Sequence, residues 1–190
     1  MKYNIIYADP PWSYEDKRKT KGKNNPHGAG GAEKHYNTMS IEDIKLLPVQ
    51  KIANDNCYLF LWVTSPMLDV GIEVLKTWGF KYKTVGFVWI KMKNDMSEPR
   101  GDGIGNYTLS NAEYVLIGLK GKYWRKDATP RQILLHPKQK HSQKPNEIRN
   151  RIVKLVGDLP RVELFARERH EGWSAWGNQL PDIKVINENE

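Results

Sequence analysis

Asp9-Pro10-Pro11-Trp12 places a carboxylate, two residues without an N–H and an indole in four consecutive positions. Each proline fixes its own φ and holds the residue before it extended. With no donors of their own, they let nearby carbonyls point outward without a local partner. The expected product is a stiff acceptor edge, the Asp9 carboxylate beside the Pro10 carbonyl, with the flat face of Trp12 next to it. Such an edge suits an aromatic amine. The exocyclic nitrogen of adenine, for example, is a poor nucleophile because its lone pair is delocalised into the ring. Two acceptors on its hydrogens draw it toward tetrahedral geometry, and stacking on Trp12 would hold the ring in line with an electrophile. A plainer reading stands beside this one: Asp-Pro-Pro as a rigid turn and Trp12 as a core residue.

The elements that must position this corner alternate between strand and helix. Residues 3–8 form a buried-type strand that delivers Asp9, and in an open α/β sheet ligands bind beyond the carboxyl ends of the strands. Ser40-Ile41-Glu42-Asp43 opens a short helix, with Ser40 capping and Asp43 in the capping-box position. Residues 57–63 read as a second strand, 66–78 as a helix with Leu68, Ile72 and Leu75 on one face, and Gly79 follows it. Further strands are expected over 85–90, 114–119 and 162–165. Pro145 falls in the first turn of a helix carrying Ile148, Ile152 and Leu155. The tail after Pro181 reads as a short edge strand or a frayed end. The pattern predicts one α/β domain over residues 1–190, a mostly parallel sheet with helices on both faces. Two long connections, near 13–37 and 92–111, read as mobile loops at the working edge. Gly101, Gly103 and Gly105 lie in the second and read as loop glycines, since no helix follows them.

Composition narrows the partners. The 190 residues carry a net charge of +8, which suits a polyanion. Lys17, Arg18, Lys19, Lys21 and Lys23 crowd the first long loop, where Lys17, Arg18 and Lys19 are the expected phosphate contacts. A solvated flexible loop is the bland alternative. The apolar content lacks the roughly 20-residue run that a membrane-spanning helix needs, and nothing at the start reads as an export signal. Cys57 is the one cysteine, so no internal disulfide is expected, and it reads as a small core residue in a cytoplasmic protein. His27, His35, His136, His141 and His170 lack ligand spacing, and no metal is expected.

Several motifs in a fixed order resemble the family of the mRNA adenine-N6 methyltransferase catalytic subunit and its bacterial and phage relatives (the MT-A seventy type). Besides Asp9-Pro10-Pro11-Trp12 they include Tyr36-Asn37-Thr38-Met39-Ser40, Trp89-Ile90-Lys91, Asn111-Ala112-Glu113, His141-Ser142-Gln143-Lys144-Pro145, Glu163-Leu164-Phe165-Ala166-Arg167 and Trp176-Gly177-Asn178-Gln179. The resemblance implies a permuted Rossmann-like methyltransferase fold in which the catalytic motif precedes the cofactor-binding strand. It implies S-adenosylmethionine as cofactor, with Arg167, Asn178 and Gln179 on the ribose and its surroundings. Lys144 would meet the methionine carboxylate or close over the pocket, and Asp9 would lie against the cofactor. Tyr36 and Glu113 would line the adenine pocket, Glu113 accepting or relaying a proton at the base edge. Each has a plain alternative: Tyr36 as a loop anchor, Glu113 as a surface charge at a strand start, Lys144 as a solvated helix-end residue.

The chain departs from relatives in running Arg167-Glu168-Arg169-His170, without the asparagine that some of them use on the ribose. What contacts the adenine of the cofactor is unassigned. The leading expectation is methylation of the N6 amine of adenine in DNA, because a compact member of this family looks bacterial or phage-like. Alternatives are the same reaction on RNA, an inactive nucleic-acid-binding partner subunit, or an amine such as cytosine N4. Monomer and homodimer both stay open.

Overall fold

The computed structural model describes residues 1–13, 38–101, 107–139 and 143–180. Along the chain run β1 (Tyr3–Ala8), α1 (Ile41–Leu46), α2 (Val49–Ile52), β2 (Ala53–Thr64), α3 (Leu68–Thr77), β3 (Lys81–Met92), β4 (Ala112–Lys120), β5 (Ile133–Pro137), α4 (Asn146–Val156), β6 (Arg161–Leu164) and β7 (Ser174–Trp176). The strands form one sheet in the order β5-β3-β4-β2-β1-β6-β7. The apolar run Ile5-Ile6-Tyr7-Ala8 has no face to offer water, and β1 accordingly lies inside, paired parallel with both β2 and β6. β3 with β5 and β6 with β7 are also parallel, whereas β4 runs antiparallel to β2 and β3. The expected α/β fold is present, but the sheet is mixed rather than simply parallel.

Side chains alternate across the sheet and define two apolar layers. Ile6, Ala8, Leu59, Leu61 and Val63 face α1 and α3. Ile5, Tyr7, Tyr58, Phe60 and Trp62 face α4, where Ile148, Ile152 and Val156 cover them. Helices therefore cover both faces. On α3 the fully buried set is Gly71, Val74 and Leu75, while the expected Leu68 and Ile72 pack partly buried against the same core. Gly71 is the reason: a Cβ there would stand 2.3 Å from Val63 Cγ1, so the missing side chain lets the helix roll onto the sheet by this edge.

Local chemistry accounts for the ends. Ser40 Oγ accepts from the Asp43 N–H at 3.0 Å and donates to Asp43 Oδ2 at 2.7 Å, so the shortened box caps α1. Gly79, at φ +84°, takes the left-handed turn after α3. Buried indoles find acceptors: Trp62 Nε1 donates to the Tyr7 hydroxyl at 2.6 Å and Trp78 Nε1 to the Ile44 carbonyl at 2.9 Å. Cys57 is a core residue, and burial pushes its thiol up to about 12. His136 lies on β5. The described part of the second long connection folds back on itself, with the Lys93 N–H on the Glu98 carbonyl and the Arg100 N–H on the Lys91 carbonyl. The tail after Pro181 and the loop holding Lys17, Arg18, Lys19 and Tyr36 lie outside the described residues. No helix among the described residues is long and apolar enough to cross a membrane.

Candidate active site

Parallel strands deliver their last residues to one edge, and an antiparallel neighbour delivers its first residues there. Asp9 leaves β1 at this edge, and the register of β4 sets Glu113 opposite both Thr64 of β2 and Trp89 of β3. Lys91 follows Trp89 by two residues, and Lys144 arrives from just before α4. The four side chains make a row of alternating charge. Lys144 Nζ lies 2.9 Å from Asp9 Oδ2 and 3.1 Å from Glu113 Oε2, and Lys91 Nζ lies 2.6 Å from Glu113 Oε1. Lys144 Nζ also stands 5.4 Å above the Trp62 ring, a cation–π contact on the floor of the row.

Burial sets the electrostatics. Asp9 is pushed above the usual carboxylate range by burial; Lys144 pulls it back, Glu113 pushes it further up, and Arg167 pulls it down. Burial also works against ionisation of Glu113, but Lys144 and Lys91 outweigh it and hold that carboxyl at about 2. Glu113 is thus a fixed acceptor near neutral pH rather than a proton relay. Burial disfavours the Lys144 charge, yet Asp9 and Glu113 raise its pKa above the ordinary lysine value.

The corner itself differs from the sequence expectation in two ways. Trp12 is only 4% exposed and belongs to the core under the α1/α3 face, its Nε1 donating to the Trp62 carbonyl at 3.0 Å. A large apolar ring gains more from the core than from the edge, and its N–H finds a partner there. Trp12 is therefore an anchor that ties the end of β1 to the end of β2, not an open stacking platform. The proline carbonyls are also partnered. The Trp12 N–H donates to the Pro10 carbonyl at 2.9 Å, and the Met39 N–H to the Pro11 carbonyl at 3.0 Å. The prolines lack donors, but the chain that follows folds back and supplies them. Each carbonyl keeps a second lone pair, and Asp9 becomes the main acceptor of the corner.

Beyond β6 the chain turns through Phe165 at φ +62°, a strained conformation for a bulky residue. That turn directs Ala166 and Arg167 along the same edge, and Arg167 is close enough to act on Asp9. The Ala166 N–H donates to the Trp176 carbonyl at 2.9 Å. A Cβ on Gly177 would lie 2.1 Å from the Ala166 carbonyl oxygen, so the two backbones touch only because Gly177 has no side chain. This contact sets the exposed Asn178 and Gln179 beside the segment that carries Arg167. Beneath the edge, Arg149 of α4 forks onto Glu163 of β6, with Nη2–Oε1 at 2.6 Å and Nε–Oε2 at 2.8 Å, both side chains buried. The Arg149 guanidinium stands 5.2 Å from the Tyr7 ring centre.

Of the expected site residues, Asp9, Glu113 and Lys144 come into direct contact, and Arg167 stands near them. Pro10, Pro11 and Trp12 form their rigid support. Lys17, Arg18, Lys19 and Tyr36 lie outside the described residues. Lys91 lies within one of the motifs without a role implied for it, and neither Trp62 as the floor nor the Arg149–Glu163 pair as the base is signalled by the sequence pattern. The position of Lys91 two residues past Trp89 at a strand end was the available clue. No set of three His, Cys, Asp or Glu side chains that could hold a metal ion occurs among the described residues.

Comparisons with known proteins bear on this geometry. A family model described as MT-A70 matches residues 3–179. The type II methyltransferase M.MunI of Mycoplasma sp is 38% identical over 195 residues, covering 97% of this chain and 80% of that protein. A protein of Arabidopsis thaliana named N(6)-adenosine-methyltransferase MT-A70-like is 27% identical, the match covering 98% of this chain and 25% of the plant protein. The Homo sapiens N(6)-adenosine-methyltransferase catalytic subunit METTL3 is 26% identical, the match covering 97% of this chain and 29% of the human protein. The chain thus spans under a third of the length of these two eukaryotic relatives.

Proposed function

The chain belongs to the MT-A70 family of N6-adenine methyltransferases, and from that premise we propose that it methylates the N6 amine of adenine in DNA, with S-adenosylmethionine as donor. The observation that carries the reading is Asp9, a largely enclosed carboxylate, 18% exposed, at the end of β1 beside a row of fixed charges. A carboxylate offers about four lone-pair sites, so Asp9 can hold Lys144 on Oδ2 and still accept an amine N–H. The Pro10 carbonyl supplies a second, weaker acceptor through its remaining lone pair. Together they would localise the nitrogen lone pair, as oriented groups do for charge that develops in a transition state. The burial that raises the pKa of Asp9 also suits its carboxylate to receive the proton the amine loses.

The donor set at this edge fits the cofactor. An amino-acid end needs a carboxylate for its ammonium and a cation for its carboxylate, which Asp9 and Lys144 or Arg167 provide. Ribose hydroxyls need amides, which Asn178 and Gln179 provide. When bound, the cofactor supplies a methyl group on a cationic sulfur that leaves as a neutral thioether. A target base in a duplex must leave the stack to reach Asp9, and Lys17, Arg18, Lys19 and Tyr36 belong to the loop we assign to that substrate.

DNA is preferred over RNA because the chain shares more identity, over far more of the partner's length, with the type II methyltransferase than with the N(6)-adenosine enzymes. The test is incubation with labelled cofactor and matched DNA and RNA oligonucleotides, followed by digestion to nucleosides. Label in N6-methyldeoxyadenosine, lost in Asp9→Ala, supports the proposal. Label only in N6-methyladenosine moves the substrate to RNA. Label in cytosine, or none, overturns it.

A further inference from the structure

Lys91 has no part in the reading above, yet it is the fourth member of the charged row. We propose that Lys91 is a positioning residue, completing the charge balance of the row and so holding Lys144 squarely between the carboxylates of Asp9 and Glu113. For its effect on rate this rests on the proposed methyl transfer; for its effect on the carboxylates it does not.

Glu113 uses one oxygen for each lysine, Oε1 for Lys91 and Oε2 for Lys144. The plane of that carboxylate is thereby fixed, and with it the place of Lys144 over Trp62 and against Asp9. Lys91 is itself held. Its N–H donates to the Asn111 carbonyl at 2.8 Å, its carbonyl accepts from Arg100 at 2.7 Å, and its ammonium stands 5.4 Å from the Trp89 ring centre. The two lysines and two carboxylates sum to zero. Without Lys91 the remaining three sum to one negative charge among side chains that are at most 18% exposed, and Arg167, the smallest of the influences on Asp9, offsets it only in part. An unpaired charge in such a place is costly, and taking up a proton is the cheapest relief. The proton would fall on Asp9, which burial already inclines to hold one and which faces Lys144, Glu113 and Arg167. A protonated Asp9 accepts less well from an amine. The competing view is that Lys91–Glu113 is an ordinary surface pair, of little worth and without consequence for Asp9.

The experiment compares kcat against pH for wild type, Lys91→Met and Lys91→Arg on one deoxyadenosine-containing oligonucleotide. The acidic limb of the Met variant is expected to move up by about 1 pH unit. Its rate should fall roughly tenfold below the limb and change little above it, and Arg should return the limb to its place. Equal loss at every pH, an unmoved limb, or an Arg variant shifted like Met overturns the proposal. Carboxyl 13C NMR titration of wild type and Lys91→Met gives a second measurement that needs no turnover. An upward move of the Asp9 titration supports the role, and an Asp9 curve that stays in place refutes it. If the wild type methylates no nucleic acid, the functional reading fails and the NMR titration alone decides Lys91. Should Lys91→Met fail to fold, Lys91→Gln, polar but uncharged, carries the same measurements.

Discussion

Lys144 Nζ stands 2.9 Å from Asp9 Oδ2, so the carboxylate assigned to the substrate amine already holds a nitrogen donor. The lysine shows what the corner binds: a nitrogen with hydrogens to give. An incoming amine would share this acceptor rather than find it vacant, and any change at Lys144 must be felt at Asp9.

Replacing Lys144 by Met should therefore be severe. It leaves two largely buried carboxylates facing each other, with Lys91 on Glu113 and the weaker influence of Arg167 on Asp9 to offset them. Breaking a buried pair on one side typically costs about 3–5 kcal/mol. Urea unfolding at pH 7 should show a loss of that order, and methyl transfer should fall with it. A loss under about 1 kcal/mol would mean that the row is solvated like a surface pair.

Stability should also vary with pH through Glu113. Its carboxyl is held at about 2 in the folded chain against an ordinary value of 4.5, so the folded state favours the ionised form. The resulting stabilisation is complete above the ordinary value and drains away as pH falls toward 2. Glu113→Gln lacks it. The gap in urea midpoint between wild type and Glu113→Gln should be wide at pH 6 and narrow at pH 2.5. A constant gap would place the ion pairs in the unfolded chain as well.

What the sequence made legible was the frame and the chemistry-bearing end of β1. Short apolar runs located β1, β2, β3, β4 and β6, and Ser40 located the start of α1. β5 and β7 escaped because they are short edge strands; Ile133 and Leu135 of β5 are exposed, so no buried run announces it. The roll of α3 escaped because Gly71 has no side chain to register in a hydrophobic pattern, although its absence decides the packing. Asp9, Glu113 and Lys144 were named from motifs 104 and 31 residues apart, but the contact among them is a product of sheet register. For Trp12 the core alternative is the one realised, and the sequence could not choose it for a related reason. A four-residue motif shows that an indole is present, while its direction depends on the Met39 segment that closes over it.

The contact between Gly177 and Ala166 yields a third prediction. Gly177→Ala forces the two backbones apart and should cost about 1–3 kcal/mol of stability, as overpacking does. Because that contact sets Asn178 and Gln179 beside Arg167, calorimetry should also show weaker binding of S-adenosylmethionine. Gly118→Ala crowds the Leu75 side chain at 2.9 Å on the interior of β4 and serves as the control. It should lose stability while cofactor affinity holds; equal affinity in both variants would detach the Gly177 turn from the cofactor.

Lys17, Arg18 and Lys19 give a fourth. Changed together to Ala, they should weaken binding to every oligonucleotide alike. The slope of log affinity against log salt should flatten by about 0.9 for each phosphate that is no longer neutralised. An unchanged slope, measured by fluorescence anisotropy between 50 and 200 mM salt, would remove this loop from the interface.

The reversed direction of β4 gives its two ends different duties. Because β4 enters the sheet at the edge where its neighbours leave, its first residues belong to the chemistry and its last ones to the far side. The connection over residues 121–131 leaves from that far side and is tied to the core by Trp124, which accepts from the Tyr58 hydroxyl and donates to the Val156 carbonyl. A single insertion among the first residues of β4 would break the charged row. Strand side chains alternate, so Glu113 would swing to the other face of the sheet and leave both lysines behind. In this fold the rim that carries the chemistry is also the one whose strand must keep count.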